Sequence, residues 1–239
     1  MTPVSKNKKD IKIEIGGYMV NLTKVKFKEN GDFNHFPGNT IVANLYGNEE
    51  VMKLVEIIQT EYRKLPFIDK FTLTPQGSIH MTVIELLCDR NRLSEYWSKD
   101  LSLELPIDEV SDYFAEKLPI FPLTDEKLVM RTTAMGSQNI LVEPADTKTA
   151  DRLAEIREYV SEHAGVRFPN HDNYQFHISV GYLRENLTEE EEALFSEVKE
   201  KLSRILLEKL PTISINRVDY TVFDDMTRFT PYVEKINKI

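Results

Sequence analysis

The chain has 239 residues, 41% hydrophobic and 29% charged, which is enough apolar material for a buried core and too much for a disordered segment. A formal charge of −9 argues against binding along a nucleic-acid duplex, which needs clustered Lys and Arg, yet it permits a small anion in a locally positive pocket. No apolar stretch reaches membrane-spanning length, and the single cysteine, Cys88, excludes a disulfide framework or a thiolate metal cluster, so a reduced, cytoplasmic setting is expected.

Residues 1–10, MTPVSKNKKD, read as a polar, loose tail rather than a secretory signal. Strand-like runs follow at 18–23 (YMVNLT) and 24–29 (KVKFKE), with an Asn30-Gly31 turn behind them, and then at 40–46 (TIVANLY). Over 48–65, Val51, Val55, Ile58, Tyr62 and Leu65 recur at helical spacing. Strands are predicted at 70–74 and over HMTVIELL from His80, with short helices possible at 89–98 and 107–118. Strands at 127–135 and 139–144 precede a helix over 147–164 and a strand from Phe176. A last helix, 188–209, has Thr188 as its N-cap and Glu191 three residues on, which explains four consecutive glutamates without a functional role. TISINRVDYTVF (212–223) and FTPYVEKI (229–236) close the chain as strands around a turn at FDDMTRF.

A coarse repeat lies within this order. A strand–helix–strand unit ends on His80, 40 residues after Thr40, and another ends on His177, 38 residues after Asn139. The expectation is one α+β domain over 1–239, with two similar antiparallel-sheet-plus-helix lobes (roughly 11–110 and 111–239) related by a pseudo-twofold around a central cleft.

Each histidine heads an apolar run and has a hydroxyl residue two positions later: His80 with Thr82, and His177 with Ser179. Side chains alternate along a strand, so each pair shares a face. Gly181 falls on that face too, while Met81, Val83, Leu87, Ile178, Val180 and Tyr182 fall on the other, as does Glu85, a misfit among them. A single histidine near a strand is more often a packed residue than a catalyst; the matched placement in two half-chains is what favours a site. Two imidazoles across a cleft suit phosphodiester chemistry, one taking a proton and one giving it, while Thr82 and Ser179 donate hydrogen bonds to phosphate oxygens.

The HMT and HIS motifs, 97 residues apart, with the flanking FPGNTIVANL, GSIHMTVIEL and NHDNYQFHISVGYL, resemble the 2H phosphoesterase superfamily over roughly 15–235. The resemblance implies a bilobal fold with a pseudo-twofold cleft. It also implies hydrolysis of a cyclic phosphate on a nucleotide or short RNA end, without metal or other cofactor, by His80, Thr82, His177 and Ser179. Which histidine is the base stays open. The alternative is a non-catalytic nucleotide-binding module using the same cleft.

Four further residues are candidates for substrate binding. Arg131 could complete the phosphate site or be a surface ion-pair arginine. Tyr174 precedes the second motif in a polar loop with His171 and Asn173, and Asn44 and Tyr46 sit near the first strand of the first unit. His171, Asp172 and His177 lack metallohydrolase spacing, and Cys88 reads as a buried thiol. The expected partner is a small phosphate-bearing nucleotide or RNA end rather than duplex DNA or a membrane, with a monomer plausible.

Overall fold

The computed structural model describes residues 12–15, 18–21, 25–118 and 127–233. The expected tail at 1–10 lies outside these. Among the described residues four α-helices form where the spacing places them: α1 (Glu49–Tyr62), α2 (Ile107–Lys117), α3 (Thr147–Ala164) and α4 (Glu189–Lys209). Each buries the stripe that identifies it, Val51, Val55, Ile58 and Tyr62 on α1, and Leu153, Ile156 and Val160 on α3.

The helix ends follow elementary capping. Asn48 and Asp146 accept the Val51 and Thr149 amides at 3.1 and 2.7 Å. Gly165, at φ +64°, closes α3 in the left-handed region, where a Cβ would also strike Asp100. Thr188 and Glu191 form the reciprocal capping box at the start of α4. Thr188→Ala is expected to lower stability by about 1 kcal/mol in urea unfolding, since it removes one cap acceptor from an otherwise intact helix. Residues 89–98 make only a short 3₁₀ turn at Ser94–Tyr96.

The strands are β1 (Lys12–Ile15), β2 (Tyr18–Asn21), β3 (Gly38–Asn44), β4 (Phe71–Leu73), β5 (His80–Cys88), β6 (Leu128–Met135), β7 (Asn139–Pro144), β8 (His177–Ser179), β9 (Gly181–Leu183), β10 (Thr212–Ile215), β11 (Asp219–Phe223) and β12 (Thr230–Pro231). Eight of them form one antiparallel sheet in the order β10-β6-β7-β8-β5-β3-β11-β12; β1-β2 and β4-β9 are separate pairs. Over its described residues, 25–29, the predicted run 24–29 is not a strand: Val25 and Lys26 are helical, and Phe27 bridges to Phe33 across a turn in which Gly31 has φ +87°.

The predicted strand 212–223 is two strands, and they lie six positions apart in the sheet. Across a flat sheet that is about 29 Å, whereas the three residues between Ile215 and Asp219 allow roughly 14 Å. The sheet must therefore curl strongly. Because β11 pairs with β3, C-terminal residues complete the half of the sheet that N-terminal residues begin, so a division near residue 110 does not follow the pairing.

Most of the core lies between the helices and one face of the sheet. A smaller cluster, Phe27, Phe36, Val42, Met226 and Phe229, lies on the other face beside a cavity. Among the described residues no helix is long and apolar enough to cross a membrane.

Candidate functional site

The two strand–helix–strand units meet where β5 pairs with β8, with Met81 opposite Ile178. Both of these point into the core. Carrying the antiparallel register one residue either way sets His80 opposite Ser179 and Thr82 opposite His177. Each histidine thus faces the other motif's hydroxyl residue, at a cross-strand Cβ separation of about 5 Å. All four line one cavity of about 230 Å³.

The two imidazoles are anchored alike. His80 Nδ1 lies 2.6 Å from the Ser78 carbonyl and His177 Nδ1 lies 2.9 Å from the Gln175 carbonyl, the residue two positions back in each case. A carbonyl only accepts, so Nδ1–H donates in both, and in the neutral ring Nε2 is the unprotonated nitrogen. Their surroundings differ. His80 is 8% exposed and packs against the Phe229 ring at 4.0 Å, whereas His177 is half-buried. Burial pushes the His80 pKa down to about 4, and the nearby His177 and Lys26 push the same way against the Ser78 hydrogen bond.

The misfit of Glu85 resolves in the ladder between β3 and β5. Asn44 pairs with His80 and Val42 with Thr82, but Ile41 pairs with Ile84 and Thr40 with Glu85, so Val83 is an extra residue. Gly38 then pairs with Cys88, marking a second irregularity. Two bulges keep His80, Thr82, Glu85 and Cys88 on the cavity face, and send Val83, Ile84, Leu86 and Leu87 to the core. The first bulge has dedicated support: the Arg157 guanidinium, 7% exposed on α3, donates to the Val83 carbonyl and to the His171 carbonyl. Its planar face lies 4.6 Å from the Tyr174 ring.

A similar irregularity ends the second motif. The Val180 and Gly181 amides both donate to the Gln138 carbonyl, and the chain leaves the main sheet to pair with β4. The expected alternation fails there. Gly181 packs against Thr72 and Leu73 instead of opening the cavity, and Tyr182 turns into the cavity.

The four predicted binding residues lie apart from one another. Arg131 sits on β6, 57% exposed in its side chain, and donates through Nε to Glu143 at 3.0 Å, outside the cavity. Tyr46, 41% exposed, lines a separate shallow groove with Gln76 and Gly77. Asn44 is the cross-strand partner of His80, and its Nδ2 donates to the Phe229 carbonyl at 3.4 Å, holding the ring that covers His80. Tyr174 is partly buried, with its phenol oxygen enclosed beside Thr82 and its ring 6.3 Å from His177; burial, with Glu85 nearby, drives that phenol well above the ordinary range.

His171 is buried and paired with Glu158 at 3.2 Å. Glu158, His171 and Asp172 have ligand atoms within 4.8 Å of one another, but Arg167 ion-pairs with both carboxylates, and His177 is not in the group. Cys88 lines the cavity, and burial pushes its thiol up to about 11, an unreactive state at neutral pH.

Sequence reasoning missed Lys26, whose ammonium lies 5.4 Å from the Phe36 ring and 5.6 Å from the Tyr182 ring at the cavity wall. No signal marks it, because the fold alone brings residue 26 to residues 80 and 177.

Residues 26–141 match a family model described as 2H-phosphodiest, domain of unknown function (DUF1868). The 2H phosphoesterase resemblance holds over that segment. It includes His80 and Thr82 and ends before His177 and Ser179. A conserved protein of unknown function from Agrobacterium tumefaciens strain C58, ATU0111, superposes with a TM-score of 0.81 at 26% identity, over 87% of this chain and 89% of that one. TT0787 of Thermus thermophilus gives a TM-score of 0.37 at 14% identity, over 77% and 86%, a level at which nothing is carried over. No curated protein matches. The 2H match supports a phosphoesterase-type hydrolase on an α+β fold with a mostly antiparallel sheet.

Proposed function

We propose that the chain hydrolyses a cyclic phosphate on a small nucleotide or short RNA end by paired-histidine acid–base catalysis. The observation that carries this reading is the crossed square on β5 and β8, with His80 opposite Ser179 and Thr82 opposite His177 at one cavity. The Met81–Ile178 pair would lie on a local pseudo-twofold relating the two motifs.

The unequal burial of the imidazoles divides their roles. His80, held neutral by its surroundings, is the base: its Nε2 takes a proton from a water whose oxygen attacks phosphorus. His177, as imidazolium, gives its Nε2 proton to the ribose oxygen as the phosphorus–oxygen bond of the ring breaks. One P–O bond forms and one breaks, leaving a phosphomonoester. Thr82 and Ser179 donate to the non-bridging oxygens, and the Lys26 ammonium adds positive charge as the attacking oxygen brings negative charge in. An arriving phosphate raises the His80 pKa by opposite charge, making it a stronger base in the complex than in the free protein.

The test is turnover of 2′,3′-cyclic and 3′,5′-cyclic nucleotides in excess EDTA. Ring opening that survives chelation is the expected result. Loss of turnover in EDTA would refute the metal-free scheme, and binding without turnover across the panel would make the chain a non-catalytic nucleotide-binding module.

A further inference from the structure

Building on that cyclic-phosphate reading, we infer that Tyr174 is a positioning residue: its phenol donates to the Thr82 hydroxyl and so turns the Thr82 proton into the cavity, toward the phosphate. Tyr174 does not itself line the cavity, whereas Thr82 does. Its influence on the phosphate therefore runs through Thr82.

The tyrosine ring is fixed on three sides. The Arg157 guanidinium lies 4.6 Å from its centre, the Phe176 ring meets it edge to face at 5.4 Å, and the His177 ring lies 6.3 Å away. The same guanidinium donates to the carbonyl of Val83, the residue after Thr82, and to the carbonyl of His171, in the turn that leads into Tyr174. One buried cation thus ties the tyrosine to the strand at the motif. The phenol oxygen is shut off from solvent beside the Thr82 hydroxyl, with no partner at full hydrogen-bond geometry. Enclosed polar atoms without a partner are rare, and contacts of this kind are often long before substrate arrives and tighten once it does.

The direction of the bond follows from counting protons. A hydroxyl carries one proton and two acceptor lone pairs. If Thr82 gave its proton to the phenol oxygen, its lone pairs would face the phosphate anion and repel it. With the phenol as donor, one Thr82 lone pair is taken and the Thr82 proton is left for a non-bridging oxygen. Burial, with Glu85 nearby, disfavours the phenolate, so the phenol keeps the proton it donates at neutral pH. The two hydrogen bonds run head to tail, phenol to threonine to phosphate, and each polarises the other. Negative charge growing on the phosphate oxygens toward the transition state strengthens both.

The experiment measures equilibrium binding of inorganic phosphate, and turnover of a 2′,3′-cyclic nucleotide, in wild type, Tyr174→Phe, Thr82→Ala and the double variant, with a thermal melt of each. Tyr174→Phe keeps the ring and its packing. It is expected to melt cooperatively, to weaken phosphate binding about three- to tenfold and to lower kcat by a similar factor. In the Thr82→Ala background the same change is expected to cost less than about twofold in either quantity, since the phenol then has no hydroxyl to direct. An effect of Tyr174→Phe below about twofold in the presence of Thr82, or an equal effect with and without the Thr82 hydroxyl, would overturn the proposal; the second result would assign the phenol to another acceptor such as Glu85. The Tyr174 hydroxyl proton, slow to exchange because it is enclosed, gives an NMR readout that decides even if Tyr174→Phe fails to fold. Phosphate is expected to move it downfield in wild type and not in Thr82→Ala, and a proton indifferent to phosphate would overturn the proposal. Coupling of the two residues in phosphate binding without hydrolysis of any cyclic nucleotide keeps the positioning role and removes the cyclic-phosphate reading; hydrolysis with additive variants does the reverse.

Discussion

Alanine at His177 is expected to lower kcat on a 2′,3′-cyclic nucleotide by about 10²–10⁴-fold, with KM little changed, because it removes a proton donor needed only as the ring bond breaks. His80→Ala is expected to do the same by removing the base, and the double variant should be little worse than either, since the two residues act as a unit. The pH dependence separates them. In the free protein His80 is neutral down to about pH 4, so the acid limb of kcat/KM should fall near pH 4 rather than near the ordinary histidine value. The acid limb of kcat should sit higher, because bound phosphate raises the same pKa.

Stability follows the same proton. Between the folded value of about 4 and the unfolded value of about 6.5, the unfolded chain binds more protons at this position. The stability linked to neutral His80 is therefore full above the unfolded value and lost as pH falls through the folded one, by about 3 kcal/mol in all. Between pH 4 and 7 the urea-derived stability of wild type should change by about that amount more than the stability of His80→Gln. Parallel curves would show that the burial of His80 does not hold it neutral.

Replacing Arg157 with methionine is expected to lower stability by about 3–5 kcal/mol. The methionine keeps much of the aliphatic stem, but it leaves the Val83 and His171 carbonyls without their donor, and each buried carbonyl so orphaned costs about 1–3 kcal/mol. The consequence for the site is as specific as that for the fold. Without support at Val83, the bulge that sends Thr82 and Glu85 to one face loses its anchor, so the folded fraction should also bind and turn over substrate less well. Lysine should recover only part of either loss, because a single ammonium lacks the planar fork that meets two carbonyls. Urea unfolding with kinetics at fixed folded fraction measures both, and a change below about 1 kcal/mol would refute the anchoring role.

The sequence carries the helices almost to the residue, because an amphipathic stripe and a polar cap are local signals. It carries the four residues of the square for a related reason: two motifs at matching points of two similar units point to one place. Register is different. The run HMTVIELL looks like simple alternation gone wrong at Glu85, yet the doublets Val83-Ile84 and Leu86-Leu87 are what a twice-bulged strand requires, with two adjacent residues turned to the core each time. The break at Val180 is set by the Gln138 carbonyl, some 40 residues away, and no local pattern reports it. The split of 212–223 into β10 and β11 follows from sheet curvature, which is a property of the whole chain. Arg131 and Tyr46 illustrate the limit for sites: a cation and an aromatic near the right strands carry no direction, and pairing with Glu143 or exposure at a separate groove decides where they go.

The central claim is that two imidazoles from separate units address one phosphate. The most direct measurement is the NMR titration of both imidazole ring nitrogens with inorganic phosphate and then with a nucleoside 3′-monophosphate. The Nε2 signals of His80 and His177 are predicted to move together, with a single dissociation constant, and Thr82→Ala is predicted to weaken that constant for both. Phosphate binding that shifts one imidazole and leaves the other unmoved would contradict the account.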